Sequence, residues 1–184
     1  MTPEQLTEYP AVPVTLRNGC SALIRPLAPD DAEALVEFYA VMPREDLRFY
    51  YPHHPDRDSV LRYMAEVHSP LNVSLVLAQP DGRLGGLAFY RWSAPEAERS
   101  TFGICIAREY QGCGAGRLLM THLLDIARHL GPPVMTLTVQ QANTRAVALY
   151  QSFGFTIVRE QILSRDPSLG FADEPEYAME RPVR

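Results

Sequence analysis

Cysteine and long apolar runs are both scarce in this sequence. The three cysteines are Cys20, Cys105 and Cys113, and no two of them have the Cys-x-x-Cys spacing of a metal-binding or redox pair. A disulfide-stapled scaffold is therefore not expected, and an odd number of free thiols is typical of a reducing compartment. The longest apolar runs reach about half a dozen residues, far short of the ~18 residues needed to cross a bilayer. We expect neither a metal centre nor membrane association.

Basic residues are also too few for a protein that binds nucleic acid. The chain has 17 lysines and arginines against 22 acidic residues, which gives a net charge of −5. That charge has the wrong sign for neutralising many phosphates, so nucleic acid is not expected as a partner. The start of the chain, MTPEQLTEYP, has acids, no basic residue and no apolar run, unlike a secretory or transit peptide. We therefore expect a cytoplasmic protein.

What the chain does contain is the composition of an ordinary globular domain. Of its 184 residues, 46% are hydrophobic, which is enough for a core without disulfide or metal staples. No repeat, low-complexity run or shift in composition marks a boundary. We predict one domain over residues 1–184, in which residues 1–12 form a flexible or edge-packing N-terminal tail.

Turn residues and apolar spacing predict antiparallel strands and helices in the first half of the chain. Asn18–Gly19 lies between two alternating runs and is a strong hairpin signal. Asp30 is the predicted N-cap of a helix whose apolar residues recur at helical spacing. The prolines within residues 48–55 exclude a helix interior there. The other elements predicted in this half are strands at 12–16, 21–25, 74–79 and 84–92 and a helix at 58–68.

The second half begins with a strand–helix–strand unit. The strongest helical pattern runs from Leu118 to Leu130 and ends at Gly131–Pro132. Antiparallel pairs followed by a crossover from Ile106 to Val139 predict an α/β fold, a three-layer α/β/α sandwich around a mixed, twisted sheet. The other elements predicted here are strands at 101–106, 134–139, 155–163 and 176–180, the last one short, and a helix at 143–152.

A glycine-rich loop, QGCGAGR at residues 111–117, precedes the strongest helix. Its glycines allow successive backbone N–H groups to converge into an anion-binding nest, and the helix N-terminus and Arg117 add positive charge. The spacing differs from the dinucleotide fingerprint Gly-x-Gly-x-x-Gly, and the Gly-Lys-Ser/Thr of a P-loop is absent. By itself the loop is compatible with a phosphate site and with a tight strand-to-helix turn.

A second motif, NTRAVALYQSFGF, occupies residues 143–155. Asn143 is a good helix N-cap, and Tyr150 lies seven residues later, which returns it to within about 20° of the same helix face. Gly154 supplies a left-handed helix end before the next strand. By itself this pattern is also compatible with an amphipathic helix whose tyrosine is a core residue.

The order and spacing of the two motifs resemble the GNAT superfamily of N-acetyltransferases. That family has Gln/Arg-x-x-Gly-x-Gly/Ala at the start of its long helix, matched here by Gln111, Gly114 and Gly116. It also has Asn-x-x-Ala-x-x-Leu-Tyr-x-x-x-Gly-Phe, matched here by Asn143, Ala146, Leu149, Tyr150, Gly154 and Phe155. The opening TLRNGCSALIRPLAPDDAEAL and the closing EYAMERP also look like GNAT termini, so the resemblance covers nearly the whole chain. The opening is similar to bacterial protein-lysine acetyltransferases as well.

The resemblance implies a sheet splayed at its centre, with acetyl-CoA lying between strands 101–106 and 134–139. Backbone groups of Ile104 and Ile106 are expected to pair with the pantetheine arm and to polarise the thioester carbonyl, which stabilises the developing oxyanion. Asn143 is expected to contact the arm, and Tyr150 to protonate the departing CoA thiolate. The pyrophosphate is expected on the glycine loop, formed by Gln111, Gly112, Cys113, Gly114, Ala115, Gly116 and Arg117.

The base that accepts the amine proton is not carried over from the family. An amine of pKa about 10.4 is only about 0.04% neutral at pH 7, so a base or a water chain is required. Family members often have glutamates on the two splayed strands, at positions held here by Thr101 and Thr138. The remaining candidates are Glu98, His53 and His54, and for each of them a solvated surface position is the favoured interpretation. Tyr50 and Tyr51 are candidates for the acceptor pocket and are at least as compatible with core or interface packing, and we interpret Cys105 and Cys113 as bystanders.

We predict an acetyl-CoA-dependent N-acetyltransferase that moves an acetyl group to a primary amine by direct attack in a ternary complex. The acceptor is either a small amine or amino acid derivative, or a protein lysine or N-terminus, and the acidic balance favours a cationic one. The alternative is a non-catalytic acyl-CoA-binding regulatory module, which the two threonines favour and Tyr150 argues against. A nucleotide-binding protein that uses the same glycines is a third reading. Edge strands near the C-terminus are compatible with a homodimer.

Overall fold

A mixed sheet of eight strands forms the centre of the computed structural model, which describes residues 1–2, 5, 8–50, 56–165 and 170–184, with the backbone alone at residues 44 and 47. The strand order is β1-β2-β3-β4-β5-β6-β8-β7. Neighbouring strands are antiparallel except β5 and β6, which are parallel. The strands are β1 (Val12–Thr15), β2 (Ser21–Pro26), β3 (Asn72–Ala78), β4 (Leu84–Arg91), β5 (Arg99–Ile106), β6 (Val134–Gln140), β7 (Thr156–Leu163) and β8 (Glu174–Pro182).

Helices cover both faces of this sheet. Every residue of β3 is buried, so the side chains that alternate to its two faces are covered on each side. Both α1 and α4 pack against β4, and the predicted three-layer α/β arrangement is confirmed. None of the helices in these described ranges is long and apolar enough to cross a membrane. The helices are α1 (Ala32–Ala40), α2 (Arg44–Leu47), α3 (Arg57–Ala65), α4 (Ala115–Ala127) and α5 (Thr144–Ser152), with 3-10 turns at Pro29–Asp31 and Arg108–Tyr110.

The predicted crossover helix is the main helix of the core. In α4 the side chains of Leu119, Met120 and Leu123 are fully buried, as the apolar spacing predicts. This helix connects β5 to β6 and lies against β3, β4 and β5. The glycine loop is therefore held between the end of β5 and the start of α4.

Two local predictions are wrong. The N-cap of α1 is Asp31, not Asp30, and its carboxylate makes no cap hydrogen bond because it accepts hydrogen bonds from the Arg25 guanidinium and from the Ala28 N–H. The last strand is not short: β8 is longer than the predicted 176–180 because it lies between β6 and β7 and pairs with both. The short helix α2 was also not predicted.

Candidate active site

The parallel pair of strands opens part-way along its length. β5 and β6 are in register at Arg99 and Val134, at Ser100 and Met135, and last at Thr101 and Thr136. β5 nevertheless continues to Ile106 and β6 to Gln140, each still paired with its antiparallel neighbour on the other side. The predicted splay is present between these two strands. It leaves one backbone edge of β5 facing the opening, with N–H and C=O groups that the sheet does not use.

A cavity of about 600 Å³ occupies this opening. It is lined by the free part of β5, by the end of β6, by the glycine loop, by one face of α5 and by the segment that follows α1. The predicted site residues found in its lining are Ile104, Ile106, Gln111, Gly112, Gly114, Gly116, Arg117, Asn143 and Tyr150. The structure therefore brings both sequence motifs to one cavity.

Cys113 and Ala115 are the predicted cofactor residues that are not in this lining. The Cys113 thiol lies 3.5 Å from the Gln111 carbonyl oxygen, to which it donates, and the Cys113 carbonyl oxygen accepts a hydrogen bond from Arg17. Ala115 is the first residue of α4 and its side chain is buried in the core. Their contribution to an anion site is thus restricted to the backbone.

The glycine loop has the backbone shape of an anion-binding nest. Gly112 and Gly114 have φ values of 77° and 93°, in the left-handed region that only glycine adopts without strain. Gly114 caps α4 without a side-chain hydrogen bond, and Leu118 donates the first hydrogen bond to the Gly114 carbonyl oxygen, at 3.0 Å. The N–H groups of the first helical turn therefore have no carbonyl partner within the helix. They are available to a bound anion at the positive end of the helix dipole.

Three arginines line the cavity beside this loop, of which only Arg117 was predicted. The Arg145 guanidinium donates a hydrogen bond to the Gln111 side-chain oxygen at 3.2 Å. Arg17 comes from the β1–β2 turn, and its side chain lies 3.8 Å from the position that a Cβ at Gly114 would take. Arg117 itself donates to the Ser152 hydroxyl at 3.0 Å. The loop end of the cavity is thus strongly cationic, although the chain as a whole is acidic.

Asn143 and Tyr150 lie on the α5 wall of the cavity. The Asn143 side-chain oxygen accepts a hydrogen bond from the Ala146 N–H at 3.2 Å, which confirms the predicted N-cap. Tyr150 is only 7% exposed. Its ring packs edge-on against Phe102, with 5.9 Å between ring centroids, and at a tilt against Phe155, with 6.0 Å between centroids. Burial, with a smaller contribution from Cys105, raises the pKa of Tyr150 well above the usual value of a phenol. The phenol is therefore protonated throughout the neutral range.

These features are those of a protein family with a known reaction. A model of the acetyltransferase (GNAT) family matches residues 33–155, about two thirds of the chain. The chain belongs to this family. GNAT proteins are acyl-CoA-dependent N-acetyltransferases, so the protein is an acyltransferase whose acyl donor is acetyl-CoA.

Curated relatives are acetyltransferases with different acceptors. The L-methionine sulfoximine/L-methionine sulfone acetyltransferase of Salmonella typhimurium is 26% identical over 71% of this chain and 77% of its own length. The streptothricin acetyltransferase of Streptomyces lavendulae is 32% identical over 58% of this chain and 54% of its own. The ribosomal protein bS18 alanine N-acetyltransferase of Escherichia coli is 40% identical over 32% and 39%. The matched part spans less than two thirds of the last two proteins.

Solved GNAT structures have the same fold over most of the chain. The GNAT domain of PAT from S. lividans superposes with a TM-score of 0.76 at 23% identity, covering 94% of this chain and 96% of that one. Spermidine N-acetyltransferase from Vibrio cholerae, solved with CoA and spermine, superposes with a TM-score of 0.72 at 21% identity, covering 88% and 95%. These likenesses concern the fold.

The two positions at which family members often have a glutamate, and the candidate bases, lie in different places. Thr138 lines the cavity, whereas Thr101 does not and lies opposite Thr136 in the sheet. Glu98 is exposed, outside the cavity lining. His53 and His54, like Tyr51, lie outside the described residues. Glu98, the candidate carboxylate among the described residues, therefore lies outside the site.

Tyr50 does line the cavity, as predicted for the acceptor pocket, but as a neutral phenol. Its hydroxyl accepts a hydrogen bond from the Tyr39 hydroxyl at 3.0 Å. Burial raises the pKa of both phenols well above their usual value. Tyr50 is thus suited to shaping the pocket and unsuited to accepting a proton at neutral pH.

Cys105 lines the cavity on β5, and its surroundings agree with the interpretation of this thiol as a bystander. Its thiol lies 3.5 Å from the Met42 sulfur. Burial, together with the charge of Asp46, raises the pKa of the Cys105 thiol far above its usual value. It is therefore a neutral thiol at physiological pH and a poor nucleophile.

Sequence reasoning missed Asp46, which also lines the cavity. Asp46 belongs to α2 and is hydrogen-bonded to Arg108. No periodic pattern or motif distinguishes this aspartate in the sequence, because its place in the cavity depends on a tertiary contact, the hydrogen bonds to Arg108.

Proposed function

We propose that this protein acetylates a primary amine by direct attack of the amine on acetyl-CoA in a ternary complex. The observation that carries this proposal is the single cavity that joins the free edge of β5, the glycine loop and the buried hydroxyl-bearing ring of Tyr150. Donor, acceptor and a proton donor can meet there without a covalent enzyme intermediate. The neutral Cys105 thiol supports direct attack over a thioester on the protein.

The cationic end of the cavity would hold the phosphates of CoA. The nest at Gly112 and Gly114 and the first turn of α4 offer backbone N–H donors to the pyrophosphate. The guanidinium groups of Arg17, Arg117 and Arg145 add three positive charges beside that nest. Charge-assisted hydrogen bonds from arginine to phosphate are about twice as strong as neutral ones. The donor set thus fits a ligand with several phosphate groups.

The free edge of β5 would orient the acyl arm. Ile104 and Ile106 line the cavity on the part of β5 that β6 no longer pairs with. Backbone N–H groups on such an edge can pair with the amides of a pantetheine arm in the manner of an added strand. A backbone donor aimed at the thioester oxygen would stabilise the negative charge that develops there during attack.

Tyr150 would act on the leaving thiolate. Because burial raises its pKa, the phenol is a weaker acid than the CoA thiol. We therefore infer that Tyr150 stabilises the departing thiolate as a hydrogen-bond donor and keeps its own proton, while the proton that the amine loses on attack goes to the thiolate or to solvent. Its ring is held in place by Phe102 and Phe155, so the hydroxyl needs little reorganisation.

The acceptor is proposed to be a small amine or a protein amine. Relatives of this chain are named for an amino acid derivative, an antibiotic and the alanine of a ribosomal protein, and similar folds are named for spermidine. These acceptors share an amino group and little else. The proposal therefore rests on the amine as the common reactive group.

The test is acceptor-dependent release of CoA thiol from acetyl-CoA. The panel contains polyamines, amino acids, aminoglycosides and lysine peptides, each measured with and without the protein. We expect at least one amine to raise thiol release well above the slow hydrolysis seen without acceptor. The proposal would be contradicted if the protein bound acetyl-CoA but transferred the acetyl group to none of the amines. Tighter binding of ATP or NAD than of CoA would contradict it as well.

A further inference from the structure

The described lining of the cavity contains three arginines and one carboxylate. The three arginines lie around the glycine loop, whereas Asp46 on α2 is the only acidic side chain in the lining formed by residues that the structure describes. Apolar and aromatic side chains from the same segment of the chain, those of Met42, Phe49 and Tyr50, also line the cavity. The segment that carries Asp46 thus offers a carboxylate together with apolar side chains, which suit a cation on an apolar stem.

The Asp46 carboxylate is oriented by one exposed arginine. Its two oxygens accept hydrogen bonds from Arg108 Nε at 3.0 Å and from Nη2 at 2.8 Å. The same Nη2 donates to Glu45 at 3.0 Å. Because two carboxylates share one guanidinium, Asp46, Glu45 and Arg108 together keep a net negative charge. An ionised carboxylate has about four acceptor positions, of which Arg108 uses two.

Asp46 is also close to the strand that carries the chemistry. The charge of Asp46 contributes to the raised pKa of the thiol of Cys105, which is the β5 residue between Ile104 and Ile106. The Cys105 thiol in turn contacts Met42 in the same lining. The Asp46 side chain is only 20% exposed, against 67% for that of Glu45. Partial burial strengthens the attraction between a carboxylate and a ligand cation.

We propose that Asp46 recognises a positive charge on the acceptor. The substrate class that follows is amines with a second cationic group and no carboxylate at that end of the molecule. This inference rests on the proposed N-acetyltransferase function and names the acceptor for the same site. Arg108 is a positioning residue in it, because it holds the carboxylate and lies outside the cavity lining.

The test uses three acceptors with the same five-carbon stem. Cadaverine ends in an ammonium, n-pentylamine in a methyl group and 5-aminopentanoate in a carboxylate. We expect kcat/KM to fall in that order for the wild-type protein. Asp46→Asn should reduce the preference for cadaverine over 5-aminopentanoate by about ten- to hundredfold, mainly through KM, since hydrogen bonds to charged groups are of that strength. Asp46→Glu should keep much of the preference.

Glu45→Gln is the matched control, because Glu45 bonds to the same Arg108 but does not line the cavity. It should change the preference by less than about twofold. Affinity for acetyl-CoA should be the same in both variants. Equal preferences in wild-type, Asp46→Asn and Glu45→Gln proteins would overturn the role of Asp46.

The same series is measured as binding to the CoA-loaded protein by calorimetry, which reports without turnover. Wild-type protein should bind cadaverine more tightly than 5-aminopentanoate, and added salt should reduce the difference. A wild-type protein that shows no such difference overturns the inference even if no variant folds. Failure of the proposed function is a separate result, since it is the absence of acetyl transfer to any amine.

Discussion

The Arg17 N–H donates a hydrogen bond to the Cys113 carbonyl oxygen at 2.9 Å. These residues are far apart in the chain, and their bond connects the β1–β2 turn to the glycine loop. The Arg17 side chain lies against Gly114 and lines the same cavity. The N-terminal hairpin is therefore part of the proposed phosphate site.

Arg17→Ala is expected to weaken acetyl-CoA binding by about tenfold, because it removes one charge-assisted contact to a phosphate. The backbone bond to Cys113 does not depend on the side chain, so stability should hardly change. Calorimetric titration with acetyl-CoA measures the effect. Arg128→Ala, on the exposed end of α4, is the control and should bind as the wild-type protein does. Equal affinity of the Arg17→Ala and Arg128→Ala proteins for acetyl-CoA would show that the Arg17 side chain does not contribute to the phosphate site.

Two glycine variants distinguish the effect of backbone strain on stability from the effect of an added methyl group in the cavity on acetyl-CoA binding. Gly114→Ala places a side chain at φ 93° and should destabilise the protein by about 1–2 kcal/mol. Gly116→Ala adds a Cβ in ordinary contact, 3.4 Å from Leu149 Cδ2, and should leave stability within about 1 kcal/mol.

Both glycine variants should bind acetyl-CoA less tightly than the wild-type protein, because Gly114→Ala alters the nest and Gly116→Ala narrows the cavity. Thermal unfolding and calorimetry on the same samples measure the two effects. A Gly116→Ala protein with undiminished affinity would show that acetyl-CoA does not approach the start of α4.

The Arg25–Asp31 pair predicts a pH-dependent contribution to stability. Burial by itself raises the pKa of the Asp31 carboxyl, but hydrogen bonds from Arg25 and from the Ala28 N–H, with the Arg25 charge, lower it below its usual value overall. A lowered carboxyl pKa stabilises the fold above the unfolded value near pH 4, and this stabilisation is lost as the pH falls through the folded value.

Asp31→Asn should therefore lower the free energy of unfolding by about 1–3 kcal/mol at pH 7 and by less at pH 3. Chemical denaturation at the two pH values measures the difference. Asp81→Asn, in an exposed pair with Arg83, should have little effect at either pH. A loss that is equally large at pH 3 would mean that packing, and not the charge, accounts for the role of Asp31.

Sequence reasoning was most accurate where local chemistry determines the structure. The Asn18–Gly19 turn, the apolar stripe of α4 and the Asn143 cap each depend on neighbouring residues, and all three are present. The splay between β5 and β6 was implied by the family resemblance and not by any local pattern. The length of β8 was missed because its ends are extended by pairing with β6 and β7.

The site residues that were missed are held by tertiary contacts. Arg17 lies in a turn that has no phosphate motif, and it reaches the glycine loop only because the hairpin packs there. Asp46 lies in the short helix α2, in a segment for which no element was predicted. Arg145 is in the second motif, but at a position that the motif leaves variable. Charges brought together by folding have no signature in a single sequence.

The most direct test of the account is the turnover of Tyr150→Phe measured beside its affinity for acetyl-CoA. Tyr63→Phe is the control, because Tyr63 is a tyrosine outside the cavity lining whose hydroxyl bonds to Ser74 at 2.6 Å. If Tyr150 stabilises the leaving thiolate, Tyr150→Phe should lose about a hundredfold in kcat while binding acetyl-CoA normally, and Tyr63→Phe should keep its kcat. Full turnover in the Tyr150→Phe protein would contradict the account.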